Sequence, residues 1–264
     1  MDDPLLADRV VLVTGAASGI GRAIALQFAE SGYHVCALDR DAASLLAFVD
    51  QMSGHGEAEV LAIEADIADA AAMQRAAETI EQRFGRLDVV VANAGGNGYL
   101  GRLEEIEPWM WDEVIAQNLP GLYLTARCTM PLLKRSVAEG HSSLLVIASI
   151  NGSRVFHLTG TTAYTCCKAA QVAFVKTLAV EVAAEGVRVN AICPGWVATN
   201  SGQATRFVGA LRFQGSTIPL TGNRPASASQ VADLALFLAS EAAAHITGAE
   251  IAIDGGESLA RARS

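Results

Sequence analysis

The chain has 264 residues, 51% hydrophobic and 18% charged, enough apolar material for a large packed core and too much for a disordered segment. Acidic residues outnumber basic ones 28 to 19, a formal charge of -9, which argues against nucleic acid or an anionic membrane as the main partner. No apolar run reaches the length of a membrane span, and the start, Met1-Asp2-Asp3-Pro4, lacks the basic and apolar regions of a signal peptide.

Short apolar runs alternate with amphipathic stretches. The pattern predicts a strand over 9–13, a helix over 19–31, a strand over 33–38, a helix over 41–52, a strand over 59–63 and a helix over 69–84. A strand over 87–92 follows, then helices over 104–117 and 120–138, a strand over 143–148 and a long helix over 162–185. A strand over 187–192, a helix opened near 227 by a Ser227…Gln230 capping box, and a strand over 249–253 complete the series. Runs such as Val89-Val90-Val91 are β-branched and continuous, as in strands buried on both faces. Strict alternation of strand and helix implies right-handed crossovers. The expected fold is therefore α/β: a doubly wound parallel sheet of Rossmann type, one domain over 1–264 with helices on both faces. The irregular stretch over 195–225 is read as a substrate-covering loop within it.

The turn after the first strand reads Thr14-Gly15-Ala16-Ala17-Ser18-Gly19-Ile20-Gly21. Gly15 allows a tight turn, Gly19 lets backbone approach a pyrophosphate, and Gly21 lets the helix pack against the strand. The helix N-terminal amides then face the phosphates. Asp39 ends the second strand, eighteen residues beyond Gly21, where a carboxylate can bond both ribose hydroxyls of NAD and repel a 2′-phosphate. Arg40 next to it is the conflicting signal for NADP, and Ser18 is not a second cation, so NAD is favoured over NADP. The alternative for Asp39 is a helix cap or solvated turn. Asp66 and Ile67 are placed to meet adenine, the alternative being a cap for the helix at Asp69.

Tyr164 and Lys168 stand four apart near the start of a predicted helix and so share one face. An ammonium beside a phenol favours the phenolate, which makes the pair a general acid/base candidate. The alternative is a surface helix pair.

With these residues in order, the chain resembles the short-chain dehydrogenase/reductase family, in its compact single-domain branch. The resemblance rests on the glycine turn, Asn93-Ala94-Gly95, Asn118, Ser149, Tyr164-x-x-x-Lys168, Pro194-Gly195, Thr247-Gly248 and Asp254-Gly255-Gly256, and spans nearly the whole chain. It implies an oxidoreductase that interconverts a secondary alcohol and a ketone by hydride transfer. In that reading Tyr164 exchanges the proton, and Lys168 lowers its pKa and holds the nicotinamide ribose. Ser149 orients the substrate oxygen, and Asn118 holds a water that completes a relay through Lys168. Asn93, Ala94 and Gly95 support the cofactor. Pro194, Gly195 and Val197 line the nicotinamide side, and Thr199 meets its carboxamide or the pyrophosphate. Oxidation is the expected direction. A homo-oligomer, commonly a tetramer, is also implied by the long helices 120–138 and 162–185.

Some positions depart from the family pattern. Ala92 replaces the Asn that often precedes Asn93. Ser149 lies fifteen residues before Tyr164, about two more than usual, with Asn151 at the common spacing and Ser153 as runner-up. The extra residues are expected to bulge within 152–160, beside the substrate. Cys166 and Cys167 are read as packing residues, and five cysteines without a C-x-x-C pair suit a reducing cytosol rather than metal or disulfides.

Candidate walls of the substrate site are Gly96, Asn97, Tyr99, Arg154, Phe156, His157, Trp196, Phe207 and Phe213. Arg206 and Arg212 could hold an anionic substrate, although a solvated loop face is the preferred reading. A satisfied or exposed His157 is preferred over a second acid/base. Trp109 and Trp111 are expected in helical packing or at a subunit contact. Two rival functions are a catalytically silent nucleotide-binding regulator and a nucleotide-sugar epimerase. The substrate itself is not legible.

Overall fold

The computed structural model describes residues 9–52, 58–137, 142–156, 158–199, 205–209 and 217–260. His157, Arg212 and Phe213 therefore lie outside the described residues, as do parts of the stretch 195–225 and the first eight residues.

The elements run β1 (Val10–Thr14), α1 (Gly19–Glu30), β2 (His34–Asp39), α2 (Ala42–Met52), β3 (Val60–Glu64) and α3 (Ala70–Phe84). They continue with β4 (Val89–Ala92), β5 (Tyr99–Leu100), α4 (Pro108–Asn118), α5 (Pro120–Ser136), β6 (Ser142–Ile147) and α6 (Thr162–Val182). The rest are β7 (Val187–Pro194), β8 (Val197–Ala198), β9 (Arg206–Phe207), β10 (Ala226–Ser227), α7 (Ala228–Ala239) and β11 (Glu250–Ile253). Seven strands form one parallel sheet in the order β3-β2-β1-β4-β6-β7-β11, as the α/β alternation predicts.

Both faces of the sheet are buried, which explains the unbroken apolar runs. Val11 and Val13 of β1 pack with α1, α2 and α7, whereas Val10 and Leu12 pack with α3, α5 and α6. The same alternation in β2, β4 and β6 divides the core into two apolar layers. Chain order reverses between β1 and β4, and the crevice beyond their carboxyl ends is where ligands bind in such sheets.

Several expected boundaries move. The helix predicted over 104–117 begins only at Pro108, which occupies its first turn; Leu103–Glu105 is a separate tight turn. The helix predicted to reach 185 ends at Val182, followed by one 3₁₀ turn that Gly186 closes at φ 75°. The strand predicted to end at 192 continues to Pro194, because Ile253 of β11 still pairs with it. The Ser227–Gln230 capping box opens α7 as expected. Four two-residue strands were not anticipated: β5 pairs with β9, and β8 with β10.

Candidate active site

A cleft of about 600 Å³ opens along the carboxyl ends of the strands. Gly15, Ser18, Gly19 and Ile20 line it from the first turn, Asp39 and Arg40 from the end of β2, and Asp66 and Ile67 from beyond β3. Asn93, Ala94 and Gly95 line it after β4, Ser149 after β6, and Tyr164 and Lys168 from α6. Pro194, Gly195, Val197 and Thr199 close the side beyond β7. Gly21 and Asn118 are not on its surface and act from behind it.

The glycine turn is built for close approach. Gly15 adopts φ +68° and Gly19 φ +55°, both in the left-handed region that favours glycine. A Cβ on Gly21 would stand 2.1 Å from the Gly15 carbonyl oxygen and 2.5 Å from Asn93 Nδ2, so this helix start meets the strand end only without a side chain. The first-turn amides of α1 have no intrahelical acceptor, and the Ser18 side chain does not cap them. They suit a pyrophosphate. Asn93 fixes the turn from β4: its Nδ2 donates to Thr14 O at 2.9 Å. Thr14 Oγ1 accepts from the amides of Asn93 and Ala94, both at 3.0 Å.

Asp39 is held at the rim. Its Oδ2 accepts from the Ala17 amide at 3.0 Å and its Oδ1 from the Asp41 amide at 3.1 Å. Asp39 thus holds a turn and lines the cleft at once, while α2 is capped by Asp41, whose carboxylate accepts from the Ser44 amide. Asp66 likewise accepts from Ala68 N at 2.9 Å, while Asp69, not Asp66, caps α3 through Ala71 and Ala72. Ile67 beside it is seated by Gly121, where a Cβ would come within 2.4 Å of the isoleucine side chain.

At the other end Ser149, Tyr164 and Lys168 converge. The Ser149 hydroxyl bonds the Tyr164 phenol and accepts from the Asn151 amide at 3.1 Å. Lys168 Nζ lies 5.5 Å from the centre of the Tyr164 ring. Desolvation pushes the Tyr164 phenol up to about 12, against the pull of the Ser149 hydrogen bond. Desolvation also holds the Lys168 ammonium down at about 8. Burial, opposed only by Ser149, sets the direction for the phenol, and Lys168 is not among the groups that shift it.

The long Ser149–Tyr164 spacing does form a compact bulge. The amides of Ser153, Arg154 and Val155 all bond Ile150 O, and a Cβ on Gly152 would stand 2.5 Å from the backbone of α6 at Thr165 and Ala169. Ile150, Asn151, Leu158 and Thr161 reach the cleft from this bulge, whereas the runner-up Ser153 is not on its wall.

Asn118 is fully buried. Its Nδ2 donates to Val114 O at 2.9 Å and Gly96 O at 3.0 Å, and its own carbonyl accepts from Gln171 Nε2 at 2.6 Å. Gln171 Oε1 in turn accepts from Lys168 Nζ at 3.0 Å. Gln171, which the sequence reading missed, thus links Lys168 to the Asn118 main chain. Its signal was a polar residue three positions after Lys168 on an otherwise apolar helix face.

The expected walls hold in part. Gly96, Asn97, Trp196 and Phe207 line the cleft, together with Leu100, Thr205 and Glu257, which were not foreseen. Tyr99 is buried behind the wall, Phe156 is exposed, and Arg154 pairs with Glu250 at 3.5 Å. Arg206 pairs with Glu113 at 3.7 Å and lies over the Tyr99 ring, and it is not among the residues of the cleft wall. Trp109 stacks edge-on against Tyr99, and Trp111 joins the same cluster. Cys166 is exposed and Cys167 buried, with burial pushing the Cys167 thiol up to about 11.

A family profile described as enoyl-(acyl carrier protein) reductase matches residues 15–258. The chain is 37% identical to the 2-(R)-hydroxypropyl-CoM dehydrogenase of Xanthobacter autotrophicus, over 94% of this chain and 97% of that one. It is 38% identical to the D-threitol dehydrogenase of Mycolicibacterium smegmatis, over 95% and 93%. A 3-ketoacyl-(acyl-carrier-protein) reductase of Brucella melitensis, solved with NADH, superposes with TM-score 0.85 at 31% identity, covering 96% of this chain and 99% of that one. These relatives are named as dehydrogenases and reductases, and they lend no support to the regulator or epimerase readings. On the glycine turn, the Ser149–Tyr164–Lys168 convergence and these matches, the chain belongs to the short-chain dehydrogenase/reductase family of NAD(P)-dependent oxidoreductases.

Proposed function

We propose that the protein uses NAD to interconvert a small, neutral secondary alcohol and its ketone, with Tyr164 as the group that exchanges the proton. One observation carries this reading: a single cleft joins the Asp39 carboxylate at one end to Ser149, Tyr164 and Lys168 at the other. Bound nicotinamide supplies the hydride acceptor or donor. Gly15, Ser18, Gly19, Ile20 and Gly21 form the pyrophosphate turn, Asp66 and Ile67 the adenine rim, and Asn93, Ala94 and Gly95 the floor. Pro194, Gly195, Val197 and Thr199 flank the ring.

Tyr164 and Ser149 would both bond the reacting oxygen as its charge changes. Tyr164 retains its proton at neutral pH, so the resting phenol is the donor needed for carbonyl reduction. Alcohol oxidation requires the phenolate and is favoured as pH rises. Lys168 and Asn118 are assigned to orienting Tyr164 and the ribose. NAD preference rests on Asp39, which a 2′-phosphate would meet as a like charge. A neutral substrate is supported by the Glu257 carboxylate on the cleft wall. Among the described lining residues the cations are Lys168 and Arg40, and Arg40 lies at the far, adenine end.

A self-associated form, a tetramer by the family pattern, and a cytosolic location belong to the same proposal, as does a covering role for residues 195–225. The test is a panel of secondary alcohols with NAD and with NADP, followed at the absorbance band of reduced nicotinamide. Oxidation of at least one alcohol, read as NADH formed from NAD, is expected. No turnover of any alcohol or of the matching ketones would remove the reading.

A further inference from the structure

Lys168 is held by two neutral oxygens. Its ammonium donates to Ile147 O at 2.9 Å, beyond β6, and to Gln171 Oε1 at 3.0 Å on its own helix. An ammonium has three donors, so one remains for the cleft that Lys168 lines. Gln171 is 3% exposed and uses its other end to donate to the Asn118 carbonyl at 2.6 Å. Asn118 is 0% exposed, and its side chain is committed to Gly96 and Val114. A buried line thus runs from the end of β6, through the ammonium and the amide, to the junction of α4 and α5.

Among the described residues, the titratable groups around the ammonium are Tyr164 and Cys167 on α6 and Cys193 on β7. No carboxylate is among them, so a fixed amide dipole does for the ammonium what a counter-ion does elsewhere. A carboxamide is also directional: its oxygen only accepts and its nitrogen only donates, so both ends of Gln171 are used in the one orientation these partners allow.

Resting on the function proposed above, we propose that Gln171 is the positioning residue of the active site. Its amide, not its volume, aims the Lys168 ammonium at the cleft and keeps it charged. The methionine variant keeps nearly the same length and volume without the acceptor, which separates the two roles.

The test exploits composition. Lys134, Lys168 and Lys176 are the only lysines of the chain, so protein labelled at lysine Cε presents three side-chain signals in an NMR pH titration. Lys168→Met identifies the signal that belongs to Lys168. In Gln171→Met the Lys168 midpoint is expected to fall by about one pH unit, a tenfold loss of the charged form, while Lys134 and Lys176 stay in place. In parallel, kcat in the alcohol assay is expected to fall about tenfold. An unmoved Lys168 midpoint in folded Gln171→Met overturns the proposal. If that variant does not fold, Gln171→Glu decides by the opposite sign: a carboxylate beside the ammonium raises the midpoint, and a midpoint unchanged there also overturns it. The titration needs no substrate. A wild-type enzyme that turns over no alcohol would sink the proposed function, whereas an unmoved midpoint sinks only the role of Gln171.

Discussion

Tyr164→Phe deletes one oxygen and leaves the ring that lies against the cleft. Turnover is expected to fall by about 10²–10⁴-fold, with NADH affinity, read by fluorescence titration, within about twofold of wild type. Retained turnover would remove Tyr164 from the chemistry. The pH dependence of carbonyl reduction has a definite sign. Lys168 is charged below about 8 and neutral above it, because burial disfavours the ammonium. Reduction rates measured from neutral to alkaline pH should hold steady and then decline as pH passes that value. Asp39→Ala should raise the KM for NAD by about tenfold and change the KM for NADP much less, since only the unphosphorylated ribose gains from the carboxylate. Equal losses would show that the carboxylate serves only Ala17 and Asp41. Tyr164, Lys168 and Ser149 were legible because local rules place them: four-residue spacing on a helix, and a hydroxyl at the end of an apolar strand. Leu158, Thr161 and Glu257 were not, because each reaches the cleft only when remote segments fold together, and Gln171, three residues from Lys168 on α6, gains its second partner Asn118 only through the fold.

Thr14 and Gly21 act where elements meet. Thr14 is 1% exposed, and its hydroxyl accepts two amides from the segment after β4. Thr14→Val keeps the shape and strands both donors, so a loss of about 2–4 kcal/mol in unfolding free energy is expected from denaturant titration. Gly21→Ala drives a methyl onto the Gly15 carbonyl and the Asn93 amide. NADH binding should weaken even where the melting temperature falls only modestly, because the helix start must back away from the turn. The long elements were legible because buried parallel strands are continuously apolar and each is followed by an amphipathic helix. The two-residue strands β5, β8, β9 and β10 carry no period that could announce them. They exist because loop backbone from 205–209 and 226–227 finds acceptors and donors on segments already in place. The shift of the helix start from 104 to Pro108 has a local cause: proline closes the first turn, and Glu104 and Glu105 belong to a separate turn that Ile106 ends.

Across the whole molecule, the alternating faces of β1, β2, β4 and β6 produce two apolar layers on one sheet, and the parallel order follows from crossovers of one hand. Tyr123 of α5 and Val180 of α6 remain exposed at 51% and 79%. Light scattering at micromolar concentration should report a mass several times 27.5 kDa; a monomer would contradict the proposed self-association. Glu257 has a further consequence. It follows β11, the edge strand that is last in chain order, and its Oε2 accepts the Trp196 amide at 2.7 Å while packing on Gly195. During synthesis on the ribosome, the phosphate turn and its supporting strands emerge long before this carboxylate does. The carboxylate that props Trp196 against the cleft is thus among the last cleft residues to leave the ribosome.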